Sequence, residues 1–176
     1  ETEEYDGATW TAKNAMISAR GYLGGAGTTE AALAFHGATP SATTCTEEFD
    51  GTNWATATAA PIASQLGYGT GLQNSGLAVS GYPTAGTTAL YNGVGWEAKS
   101  NALLPHQNYA GGMEGTSTAA VMFGSQPSGA STATQLFNDG TCGIPSNPIN
   151  EGLYCFVTSF APGTDKTTGI SYSSGY

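Results

Sequence analysis

The stretch Thr46-Glu47-Glu48-Phe49-Asp50-Gly51-Thr52-Asn53-Trp54 decides the fold, because the chain repeats it. An earlier copy reads Thr2-Glu3-Glu4-Tyr5-Asp6-Gly7-Ala8-Thr9-Trp10, and a later one ends Tyr91-Asn92-Gly93-Val94-Gly95-Trp96. The step from aromatic to tryptophan is five residues in every copy, and the tryptophans lie 44 and 42 residues apart. A fixed period in this range marks a repeat architecture. Asp-Gly or Asn-Gly between strand-like segments is a strong hairpin signal, since both turn residues tolerate positive φ. The motif therefore predicts a strand ending in the aromatic, a tight turn whose two residues can take positive φ, and a return strand that carries the tryptophan.

Working outward, a short apolar run precedes each acidic strand: Ala31-Ala32-Leu33-Ala34-Phe35, Gly76-Leu77-Ala78-Val79 and Ala119-Ala120-Val121-Met122-Phe123. Gly37, Gly81 and Gly124 close these runs, and loops containing Pro40, Pro83 and Pro127 follow. Short continuous apolar runs bounded by turn residues predict strands buried on both faces. The segments Gly24-Gly25-Ala26-Gly27, Gly67-Tyr68-Gly69 and Gly111-Gly112 read as tight turns entering those strands. They lack the Lys-Ser/Thr of a phosphate-binding loop. A fourth copy starts at Gln135-Leu136-Phe137-Asn138-Asp139-Gly140 and breaks, with Cys142 where a tryptophan is expected. Helical periodicity is essentially absent; Ala12 to Ala19 is the only stretch resembling a helical turn, and it is read as non-helical. Residues 1–140 thus form three repeats, at about 1–45, 46–88 and 89–133, with the start of a fourth. Residues 141–176 form a C-terminal strand or cap segment around Leu153-Tyr154-Cys155-Phe156-Val157.

Composition agrees with a turn-rich β protein. Gly accounts for 26 of 176 residues and charged residues for only 10%, against about 25% in ordinary domains. The net charge of −9 comes with four scattered bases, Lys13, Arg20, Lys99 and Lys166. Such a chain has no basic patch to neutralise phosphates, which argues against nucleic acid and anionic membranes as partners. No apolar stretch approaches the length of a spanning helix. The chain opens inside a repeat, which suggests a processed, truncated or partial chain. Three cysteines make no disulfide framework; Cys142 and Cys155 are a possible pair, leaving Cys45 alone.

These repeats resemble kelch motifs, the blades of β-propellers: an apolar strand (Leu33-Ala34-Phe35), a glycine (Gly37), an aromatic (Phe49) and a tryptophan (Trp54), then Leu77-Ala78-Val79, Gly81, Tyr91 and Trp96. The first glycine of the kelch pair is replaced by His36, Ser80 and Phe123. The kelch arginine is matched by Arg20, with Gln65 and Gln107 in later copies. The Glu-Glu-(Tyr/Phe)-Asp-Gly-x-x-Trp variant in an Ala/Gly/Thr-rich background looks more specifically like repeats in virion and tail-fibre-like structural proteins of tailed phages, including marine phages. The resemblance implies an all-β fold of kelch-like four-stranded repeats. Propellers take about 4–8 blades, so the ring would be partial or completed by an oligomer, or the repeats would form an open β-repeat array.

Tyr5, Trp10, Gly37, Phe49, Trp54, Gly81, Tyr91, Trp96, Gly124 and Phe137 read as structural repeat positions, the tryptophans packing between units. Tyr22, Tyr68 and Tyr109 follow their tryptophans by 12, 14 and 13 residues in glycine-rich segments. They are the candidates for stacking on a glycan or gripping a partner. Glu3-Glu4 and Glu47-Glu48, with Asp6 and Asp50, are weighed as calcium ligands. Adjacent strand residues face opposite sides of a sheet, so a pair alone does not chelate, and no metal is expected. His36 and His106 have no zinc-ligand spacing and no triad partners nearby.

The expectation is a non-enzymatic structural or adhesive module on a phage virion surface, or extracellular. It would use no cofactor, and its partners would be other copies of itself, other virion proteins or a cell-surface glycan. A secreted carbohydrate-binding propeller and a propeller-scaffold hydrolase are the alternatives.

Overall fold

The computed structural model describes residues 1–102, 112–124 and 134–138. These residues fold as antiparallel β-strands with no helix. The first sheet pairs β1 (Thr2–Tyr5) with β2 (Trp10–Lys13). The second runs β3 (Gly24–Gly27), β4 (Ala32–Phe35), β5 (Thr46–Phe49), β6 (Trp54–Thr56), in that order. The third repeats it with β7 (Tyr68–Leu72), β8 (Ser75–Val79), β9 (Thr88–Tyr91) and β10 (Trp96–Lys99). The fourth contains β11 (Gly112–Gly115), β12 (Ala119–Phe123) and β13 (Thr134–Asn138). The all-β, four-stranded-repeat architecture is thus present, while the described sheets do not close into a ring. The second, third and fourth sheets each begin at a glycine-rich strand.

The register is the same in successive sheets. Phe35 faces Thr46 as Val79 faces Thr88, and Phe49 faces Trp54 as Tyr91 faces Trp96. The apolar strands β4 and β8 are buried along almost their whole length, as continuous apolar runs require. Their side chains form two connected cores. Leu33, Phe35, Ala78 and Tyr91 fill the space between the second and third sheets, and Leu77, Val79, Met113, Ala120 and Met122 that between the third and fourth.

Two local expectations need correction. The glycine-rich segments are strands rather than turns, and those of successive sheets contact one another. A side chain on Gly69 would run into the carbonyl of Gly25 and the ring of Phe35, so the close approach of β3 and β7 requires glycine there. The hairpin between aromatic and tryptophan is a four-residue loop, with positive φ at the glycine but not at the preceding Asp or Asn. That residue instead caps the loop with its side chain. Asp50 Oδ1 accepts the amides of Thr52 and Asn53 at 2.8 and 2.6 Å, and Asn92 Oδ1 those of Val94 and Gly95 at 3.0 and 2.9 Å. Asp6 does the same for Ala8 and Thr9, both at 2.8 Å. Asx side chains favour this local bonding, and the amide donors hold the Asp6 and Asp50 carboxyls below their ordinary pKa.

Candidate binding face

The tryptophans join the sheets. Each lies against the aromatic opposite it, with ring centroids 5.1 Å apart for Tyr5–Trp10 and Phe49–Trp54 and 5.0 Å for Tyr91–Trp96. Trp54 Nε1 donates to Thr2 Oγ1 of the preceding sheet at 2.9 Å, and Trp96 Nε1 to Thr46 Oγ1 at 3.2 Å. Trp96 also donates to the Thr58 carbonyl at 3.1 Å and packs edge-on to Phe35. Trp10, in the first sheet, is 68% exposed.

At one end of the sheets the segments entering the glycine-rich strands cross those leaving the apolar strands. Gly21 bridges Ala38, and Gln65 bridges Tyr82 in the next repeat. The two repeats are tied together where Gly37 N donates to Ser64 O at 2.9 Å and Leu66 N to Tyr22 O at 2.8 Å. The closing glycines are explained here. A side chain on Gly81 would strike the backbone of Gln65 and Leu66, and one on Gly37 the carbonyl of Gly21. Gly124 also holds positive φ, at 71°.

A buried ion pair fixes the first of these segments. Arg20 and Glu47 pair with side chains 0% and 2% exposed. Glu47 also accepts the amides of Ile17 at 2.8 Å and Ser18 at 3.2 Å, while Arg20 Nε donates to His36 O at 2.8 Å. Every charge is hydrogen-bonded, as burial demands. The bridges align Gly21 with Gln65, so Arg20 corresponds to Ser64 and not to Gln65 as the sequence reading had it. Ser64 is fully buried, and its hydroxyl accepts the Gly81 amide at 3.1 Å. The Glu pairs face opposite sides: Glu47 meets Arg20, while Glu48 accepts the Tyr91 hydroxyl at 2.7 Å. Burial, then this hydrogen bond, pushes the Tyr91 phenol well above its ordinary range. His36 is buried, and its Nδ1 has no hydrogen-bond partner; burial lowers its pKa to about 4.

The candidate tyrosines are not brought together as equivalents. Tyr22 precedes β3 with φ of 57° and a 57% exposed side chain. Its counterpart is Leu66, with φ of 61°. Tyr68 opens β7 and is half-buried against the Leu77–Met122 core. Tyr109, His106, Gln107, Cys142 and Cys155 lie outside the described residues. Sequence reasoning missed Tyr82, which is 50% exposed and whose carbonyl accepts the Gln65 amide at 2.9 Å. Its position directly after Gly81 was the available signal. Tyr22 and Tyr82 thus flank Gln65-Leu66 on a surface whose backbone is held by bonds between repeats. No protein-family model and no curated protein matches the chain.

Proposed function

We propose that this chain is a non-enzymatic structural and adhesive module: kelch-like repeats of a propeller or related open array, displayed on a tailed-phage virion and presenting loops to a receptor or a neighbouring subunit. The virion assignment rests on the resemblance of the Glu-Glu-(Tyr/Phe)-Asp-Gly-x-x-Trp repeats. The observation that carries the adhesive part is the pair Tyr22 and Tyr82, exposed beside Gln65-Leu66 on segments tied across repeats. Tyrosines combine a flat apolar face with a hydroxyl and lose little side-chain entropy on contact. Recognition commonly sits on loops held by a rigid scaffold. Here the rigidity comes from Arg20–Glu47 and the ladder bridges.

The test is adhesion of the purified chain to bacterial cells and to their isolated surface polysaccharides. Binding that falls at least tenfold in Tyr22→Ala or Tyr82→Ala, with unchanged melting temperature, supports the reading. Absence of binding to any surface, or binding indifferent to both substitutions, contradicts it.

A further inference from the structure

The three loops between aromatic and tryptophan are built alike, and one of them differs in its chemistry. Asp6, Asp50 and Asn92 open these loops, each followed by a glycine, and Asn92-Gly93 is the only Asn-Gly step in the chain. Asn92 is exposed, and its Oδ1 accepts the amides of Val94 at 3.0 Å and Gly95 at 2.9 Å. These bonds span Gly93 and fold the carboxamide back over the loop. Two backbone N–H groups on one carbonyl oxygen are also the arrangement that stabilises the oxyanion of a tetrahedral intermediate. Among the described residues the Gly93 N–H makes no hydrogen bond, and glycine puts no Cβ beside its own nitrogen.

We propose that Asn92 is a self-modification site: the Gly93 nitrogen attacks its side chain, and the loop converts to the aspartyl form that the first two repeats already carry. The Gly93 nitrogen loses its proton and bonds to Asn92 Cγ, the Cγ–Nδ2 bond breaks, and the amide group leaves as ammonia with that proton. Water then cleaves the resulting ring between Cγ and the Gly93 nitrogen, which leaves a side-chain carboxylate and restores the backbone. The product loop matches those of Asp6 and Asp50, and its two amide bonds become charge-assisted. There the reaction stops. The amides of Thr9 and Ala8 hold the Asp6 carboxyl below its ordinary pKa, as those of Asn53 and Thr52 hold that of Asp50, and an ionised carboxylate has no leaving group to expel. Cleavage on the other side of the ring would give isoaspartate and insert a methylene into the backbone. That would displace Val94, whose carbonyl accepts the Thr58 hydroxyl of the second repeat at 2.6 Å, so the folded loop favours aspartate.

The test is incubation of the full chain at mildly alkaline pH, with mass mapping of each asparagine and separation of aspartate from isoaspartate. A synthetic peptide of residues 88–99 serves as the unfolded control. Conversion at Asn92 many-fold faster than at Asn14, Asn53, Asn74 and Asn101 is expected, with ammonia released in equal amount and a larger share of aspartate than the peptide gives. Asn92→Asp, made directly, should melt no lower than the unaltered chain. An Asn92 that stays intact while the peptide converts would overturn the proposal. So would a product mixture equal to the peptide's, or an Asn92→Asp chain that melts well below the unaltered one. None of these outcomes bears on adhesion through Tyr22 and Tyr82.

Discussion

The indole of Trp96 donates to the hydroxyl of Thr46 in the preceding sheet at 3.2 Å, and the same bond recurs between Trp54 and Thr2 at 2.9 Å. In each case the tryptophan that opens the last strand of one sheet is fastened to the threonine that opens the aromatic-ending strand of the sheet before it. This bond converts a sequence period into a packing period. It also separates the tryptophans energetically. Truncation of a packed tryptophan removes its transfer free energy and leaves a cavity, at about 3–5 kcal/mol. Trp96→Ala should lose about that much in urea unfolding, whereas Trp10→Ala, at an exposed position, should cost under about 1 kcal/mol. Equal losses would contradict the assignment.

Gly69 tests the close approach of the glycine-rich strands. A methyl there meets the Gly25 carbonyl and the Phe35 ring, while one on Gly25 meets only the Leu33 carbonyl at 3.4 Å. Overpacking of a core costs about 1–3 kcal/mol. Gly69→Ala should fall in or above that range, and Gly25→Ala should be close to neutral. Thermal melts of the two variants give the comparison directly.

Arg20 and Glu47 predict a strongly non-additive pair. Removing one member of a buried ion pair strands the other charge and costs about 3–5 kcal/mol. Arg20→Met and Glu47→Leu should each do so, and the double variant should lose far less than the two singles combined. Additive losses in a double-mutant cycle would mean that the pair is not formed.

His36 predicts a dependence on pH. Burial lowers its pKa to about 4, against an ordinary value of about 6.5 when unfolded. The folded state therefore binds fewer protons than the unfolded one between these values. Stability from this group is complete above about pH 6.5, declines as the pH falls toward about 4, and is level below that. The total change is on the order of 3 kcal/mol at most. Asn tolerates the left-handed backbone that His36 adopts at φ of 60°. His36→Asn should flatten this segment of the stability–pH curve, and an unchanged slope would contradict the assignment.

The hairpins and buried strands were legible in the sequence because their signals are local: an Asx-Gly beside a tryptophan, and an apolar run closed by glycine. The glycine-rich strands were not. A run of glycines reads as a turn until the partner that excludes a side chain is known, and for Gly69 that partner is Gly25, in another repeat. The tyrosines were misaligned for a related reason. Tyr22 and Tyr68 were matched by residue type, yet Gly24 and Tyr68, each 14 residues after its tryptophan, are the true counterparts. The Arg20–Glu47 pair was hidden because its base, the only arginine of the chain, lies in a segment between strands 27 residues before its acid and has no counterpart in the other repeats.

The tryptophan-to-threonine fastening is tested most directly by indole N–H exchange, measured by NMR on the labelled chain. Trp54 and Trp96 should exchange slowly with water and Trp10 fast. Thr46→Val should shift and accelerate Trp96 alone, and Thr2→Val Trp54 alone. Three indoles that exchange alike, or a Trp96 signal indifferent to Thr46→Val, would contradict the account.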